Sequence, residues 1–147
     1  MTAYAQHFVQ TALARSPVMA AIDPAEVAAL ARAASLRRYP KRANLAGTAP
    51  HAPDLYLVMQ GQAEYVTTSM EGEQVTLVAF GPGSWVNWLA VLAPTAIERQ
   101  VEVAAGSTLV VFPAHLVRSV LARHPQAYLP LYRELGSRFR ALMEWVE

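Results

Sequence analysis

The chain has no cysteine. That excludes disulfides, thiolate nucleophiles and cysteine-ligated zinc or iron–sulfur sites, and leaves the compartment open. Lysine is nearly absent: Lys41 stands alone, and arginine supplies the rest of the twelve basic residues. Against eleven acidic residues the formal net charge is only +1, so no global basic field or polybasic tail points to nucleic acid. The four histidines, His7, His51, His115 and His124, form no His-x-His or His-x-x-x-His pair, which argues against the clustered ligands of a cupin-type metalloenzyme. A P-loop, a catalytic carboxylate pair and a Ser/His/Asp arrangement are all missing, and Ser84 and Ser119 have no base nearby in the pattern. No catalytic site and no metal are expected. No run reaches the roughly 18 apolar residues of a membrane span, and MTAYAQHFVQTALARS lacks the basic n-region and apolar core of a signal peptide. The cytoplasm is the default expectation.

What remains is a chain of 147 residues, 54% hydrophobic and 16% charged, which fits one globular domain with a sizeable core. Residues 3–14 read as a short helix with Phe8, Ala12 and Leu13 on its apolar face. Asp23-Pro24-Ala25-Glu26 reads as a helix start, with Asp23 as cap, Pro24 in the first turn and Glu26 at the reciprocal position of a capping box. Val27, Leu30 and Ala31 follow at helical spacing to an end near Ala34. From Ser35 the period changes. Short apolar strands at residues 55–59, 63–68, 75–80, 101–103 and 109–112 alternate with glycine-marked turns, the pattern of a jelly roll or barrel.

Pro113 opens a helix through Leu116, Val117, Val120 and Leu121, which His124-Pro125 breaks. A second helix starts near Gln126. On it Tyr128, Tyr132, Leu135, Phe139, Leu142 and Val146 recur at steps of four and three, a heptad stripe. One use of that stripe is packing on the chain's own sheet; the other is a seam with a second copy. Leu131 and Trp145 widen the apolar face enough for both, and a homodimer is expected. No stop signal follows Trp145-Val146-Glu147, so the helix is expected to run on. The organisation is thus mainly β with flanking helices: N-terminal helices over 1–34, a double-stranded β-helix over 35–112, and C-terminal helices over 113–147 ending in a long dimerisation helix.

Five landmarks in order carry a resemblance: Asp54 to Gly61 (DLYLVMQG), Glu71 to Leu77 (EGEQVTL), Gly81-Pro82-Gly83, Leu89-Ala90-Val91-Leu92, and His124-Pro125. Together they resemble the cyclic-nucleotide-binding sensor domain of the Crp/Fnr transcription regulators, over nearly the whole chain. Lys41-Arg42-Ala43 stands where that family has Lys-Gly-Glu, which puts the first turn of the roll in question. The resemblance implies a phosphate-binding cassette after the Gly-Pro-Gly corner, with the positions Gly83, Asn87, Trp88, Leu89, Ala90, Arg99 and Gln100. In such a cassette backbone N–H groups attract a phosphate, an arginine pairs with it, and a glutamate takes the ribose hydroxyl.

Here the family's Gly-Glu is replaced by Asn87-Trp88, while Leu89, Ala90 and Arg99 keep their places. The replacement removes the ribose-reading carboxylate, puts a large ring where a nucleotide would sit, and adds a side chain where backbone should approach ligand. Trp85 and Trp88 are expected to fill the pocket, the alternative being stacking on a planar ligand. Arg99 shares an apolar strand face with Val101 and Val103 and needs a partner: an anionic ligand, or a carboxylate such as Glu102 or Glu64. His124 is expected at the surface, haem ligation being the other use found in relatives. The resemblance implies effector sensing by a homodimer, with DNA contacted only through a C-terminal helix-turn-helix domain missing from this chain and no contact with membrane. No cofactor is evident. The effector stays open between a small unidentified anion, haem, an empty pocket and protein contact alone. A stand-alone domain acting through protein partners is the alternative reading.

Overall fold

A computed structural model describes residues 1–45, 54–93 and 100–146. Three helices come first: α1 (Ala3–Arg15), α2 (Pro17–Ala20) and α3 (Pro24–Ala33). Thr2 caps α1, accepting from the Ala5 N–H at 3.1 Å, and the buried face is Ala5, Val9 and Leu13, with Phe8 and Ala12 packing beside it. The short α2 escapes a periodicity search because it is one turn long. Ser16 caps it, accepting from Met19 N–H at 3.2 Å, and Pro17 supplies a preset φ. Asp23 caps α3 as expected, accepting from Ala25 N–H at 3.0 Å. The capping box does not close: the Glu26 carboxylate instead meets the guanidinium of Arg123 at 2.8 Å, a charged partner that the tertiary fold delivers.

Eight strands follow as β1 (Ser35–Tyr39), β2 (Ala43–Asn44), β3 (Leu55–Gln60), β4 (Ala63–Thr68), β5 (Gln74–Phe80), β6 (Trp85–Val86), β7 (Gln100–Val103) and β8 (Ser107–Phe112). They form two antiparallel sheets of four, ordered β1-β8-β3-β6 and β2-β7-β4-β5. The first turn of the roll, open on sequence, contains the two-residue β2, paired through Ala43 and Asn44 to β7.

In the sheet β1-β8-β3-β6, strands β8 and β6 and the first four residues of β3 are buried on both faces, while β1 is largely exposed. Leu55 and Leu57 of β3, with Val110 and Phe112 of β8, face a core shared with the helices; Tyr56, Val58, Leu109 and Val111 face the roll interior with Ala63, Phe80, Val86, Val101 and Val103. All six residues of β8 are buried, which explains why these strands read as solid apolar runs. At the β3–β4 turn Gly61 has φ +87°, and a Cβ there would meet Ser107 Oγ at 2.1 Å, so only glycine fits.

The chain closes with α4 (Trp88–Leu92) between β6 and β7, then α5 (Ala114–Ala122), a 3₁₀ turn at Pro125–Ala127, and α6 (Tyr128–Val146). Leu131 of α6 is fully buried in the helix-side core, with Tyr128 and Leu135 packed against it. Leu129, Tyr132, Phe139 and Met143 are exposed. The stripe expected on α6 therefore splits, one edge packed on the domain and the other exposed; the Leu142 and Val146 side chains lie outside the described set. No helix among the described residues is long and apolar enough to cross a membrane.

Candidate functional site

The corner after β5 is held by backbone. Gly83, at φ +90°, donates its N–H to the Val58 carbonyl at 2.8 Å, and Val58 N–H donates to the Ser84 carbonyl at 3.0 Å. Trp85 and Val86 then pair with Leu57 and Tyr56 of β3. Trp85 and Val86 form a two-residue strand, one ring turned out of the roll and one valine turned in.

Asn87 turns that strand into α4. It is the one non-glycine residue with positive φ among the described residues, at +86°, a left-handed conformation that asparagine tolerates better than other side chains. It stands where the family's glycine is expected. Its side chain gives α4 no cap; it folds back so that Nδ2–H donates to the Asp54 carbonyl at 2.9 Å. The carboxylate of Asp54 accepts from Ala114 N–H at 3.0 Å and so caps α5. One residue before β3 thus fixes the cassette and the next helix together. Asp54 was visible only as the first letter of a landmark; its role depends on partners 33 and 60 residues away.

Trp88 is 1% exposed and sits in the helix-side core, its ring 6.3 Å from that of Trp85, which lies 5.3 Å from Phe112. This corrects the expectation that it occupies the nucleotide position: alternation in β6 sends Trp85 to the helix side and Val86 into the roll, and the left-handed turn at Asn87 then starts α4 with Trp88 on the helix side as well. Nor can so buried a ring stack on a ligand. The Trp88 Nε1–H is buried without a hydrogen-bond partner among the described residues. Leu89 is 52% exposed, Ala90 half-buried. Gln100 opens β7 opposite Val66. Arg99 lies outside the described residues.

The two carboxylates offered to Arg99 have another partner. The register places Glu64 directly opposite Glu102, a carboxylate pair that no sequence motif shows. Arg42 meets Glu64 at 2.6 Å and Glu102 at 3.5 Å, while Asn44 donates to Glu102 at 3.4 Å and Thr76 to Glu64 at 3.1 Å. The pair is thereby compensated on the outer face of the second sheet.

Arg138 of α6 is a cation near the cassette that the sequence did not single out. Its guanidinium donates to the Trp85 carbonyl and, at 3.1 Å, to Glu134 one turn earlier. It also lies 4.9 Å from the centre of the Phe80 ring, a cation–π arrangement. The C-terminal helix is thus fastened to both ends of the Gly-Pro-Gly corner. Burial pushes the Glu134 carboxyl above its ordinary range, with Arg138 opposing. A second guanidinium, Arg37 on β1, lies over Tyr56 at 5.9 Å and donates to its hydroxyl at 3.5 Å; the Tyr39 hydroxyl, then Tyr56, raise its pKa against desolvation.

His124 is only 9% exposed, contrary to the surface expectation. Its Nδ1 lies 2.8 Å from the Val120 carbonyl, and because a carbonyl only accepts, that nitrogen carries the proton. The ring closes the last turn of α5. Among the described residues, no three His, Asp or Glu side chains cluster as metal ligands.

The fold is shared with known proteins. A putative transcriptional regulator of the Crp/Fnr family from Eubacterium rectale superposes with TM-score 0.73 at 16% identity, over 88% of this chain and 61% of that one. The sensor domain of the transcriptional regulator DNR from Pseudomonas aeruginosa superposes with TM-score 0.71 at 15% identity, over 95% of this chain and 93% of that domain. Among curated proteins, lysophospholipase NTE1 of Phaeosphaeria nodorum is 27% identical over 90 residues, 61% of this chain; the chain spans only 6% of that protein's length. The cyclic nucleotide-binding domain family matches residues 36–124, from β1 through α5 to His124, and with more than half its length so matched the chain belongs to that family.

Proposed function

We propose that the chain is the effector-sensing and dimerisation domain of a Crp/Fnr-type transcription regulator, and that cAMP is not its effector. The observation that carries this reading is position 88. A cassette carboxylate accepts hydrogen bonds from ribose hydroxyls. Indole has an N–H and no acceptor, and the Trp88 ring is sealed in the core behind the cassette. No rotamer change of this residue restores the ribose contact.

Arg99, at the position of the phosphate-pairing arginine, supports a small anion without a ribose as effector, with no resident cofactor. The exposed edge of α6 supports a homodimer whose paired helices receive the signal, coupled to the cassette corner through Arg138. In this reading DNA contact belongs to a helix-turn-helix domain C-terminal to α6 in the whole regulator.

Calorimetric titration with cAMP is the test. The expected result is no saturable binding tighter than millimolar. A micromolar dissociation constant would overturn the reading of position 88.

A further inference from the structure

On the helix side of the roll, α1, the α1–α2 junction, the Gly83 corner and α6 enclose a groove of about 540 Å³. That volume falls within the roughly 300–1,000 Å³ of small-molecule sites. Its apolar floor is made by Phe8, Ala12, Pro17, Trp85 and Pro130. Two cations, Arg15 and Arg133, line it from opposite helices. Neither guanidinium has a hydrogen bond, ion pair or ring contact with any described residue. Arg15 also complements the C-terminal turn of α1; Arg133, mid-helix, has no such use. The one acidic residue in the lining, Glu134, is already paired with Arg138 at 3.1 Å.

We propose that this groove binds a small aromatic carboxylate, its ring against the aromatic and proline floor and its carboxylate between the guanidinium groups of Arg15 and Arg133. Planar rings suit a floor of prolines and aromatic edges, and a guanidinium fork matches a carboxylate in geometry as well as charge. The groove touches the cassette corner at Gly83 but lies on the opposite face of the sheet from the roll interior. Pro130, Arg133 and Glu134 share one face of α6 and Tyr132 and Phe139 lie on another, while Leu129, one turn before Arg133, borders the groove. An occupant would rest against Trp85 and Glu134, two of the groups that hold Arg138.

The probe is 2-naphthoate, titrated calorimetrically into the chain, with uncharged 2-naphthamide as its isostere. Saturable binding of 2-naphthoate below millimolar is expected. The amide and the double variant Arg15→Gln/Arg133→Gln should each weaken it at least tenfold, and Ala12→Trp, which plugs the floor, should abolish it. Circular dichroism melting checks each variant; if the plugged chain does not fold, the two surface arginines decide. Absence of saturable binding by the wild type overturns the proposal. So does binding that is equal in the double-glutamine variant. Neither result bears on the cAMP titration, which reads the other side of the sheet.

Discussion

Asn87 shows how much one backbone angle can demand. At φ +86° a side chain with a Cβ but no local hydrogen bond is strained by about 1–2 kcal/mol, and here the side-chain amide also anchors the Asp54 carbonyl. Asn87→Gly removes the anchor but relieves the angle, so urea unfolding should place it within about 1 kcal/mol of wild type. Asn87→Ala loses the anchor and keeps the strain, and should be destabilised by about 2 kcal/mol. Equal midpoints for the two variants would sink this account. The sequence marked the position through the family's missing glycine. The reason asparagine is accepted appears only when Asp54 is brought beside it.

At the scale of elements, the joint between α6 and the roll holds a carboxyl whose charge burial disfavours. Glu134 is raised above its ordinary pKa by burial, with Arg138 opposing. A carboxyl raised on folding contributes stability that is present below its unfolded pKa and lost as pH rises through the folded value. Glu134→Gln mimics the protonated form. At pH 7 the variant should therefore be at least as stable as wild type, and its advantage should shrink as pH falls toward 4. Urea unfolding of both chains at the two pH values reads the difference directly; an advantage that grows on acidification contradicts the sign. The α6 stripe was legible because its period matches a helix. Arg138 was not, since an arginine in a helix with several others carries no mark until Phe80 and the Trp85 carbonyl come beneath it.

For the molecule as a whole, the exposed side chains of Leu129, Tyr132, Phe139 and Met143 are the feature a homodimer would use. A helix that already buries Leu131 and Leu135 against its own domain gains nothing there from a second apolar edge. Sedimentation velocity at tens of micromolar should find a dimer, and Tyr132→Glu/Phe139→Glu should give a folded monomer with an unchanged far-UV spectrum. A monomeric wild type would remove the seam, and with it the coupling of two helices.

By itself the sequence determined the longer helices and strands, the mainly β class, the cassette corner and the loss of its carboxylate, because these depend on local spacing, turn residues and the identity of single positions. Tertiary structure alone decided which side of a sheet each ring occupies. Trp88 looked like a plug for the roll, yet the left-handed turn at Asn87 starts α4 with its ring toward the helices. Glu26 had the spacing of a capping box and took Arg123 instead. Glu64 and Glu102 became neighbours only through strand register, and Arg42 answered them. In each case the deciding partner lies far away in the chain, and a charge or ring takes the partner that folding brings nearest.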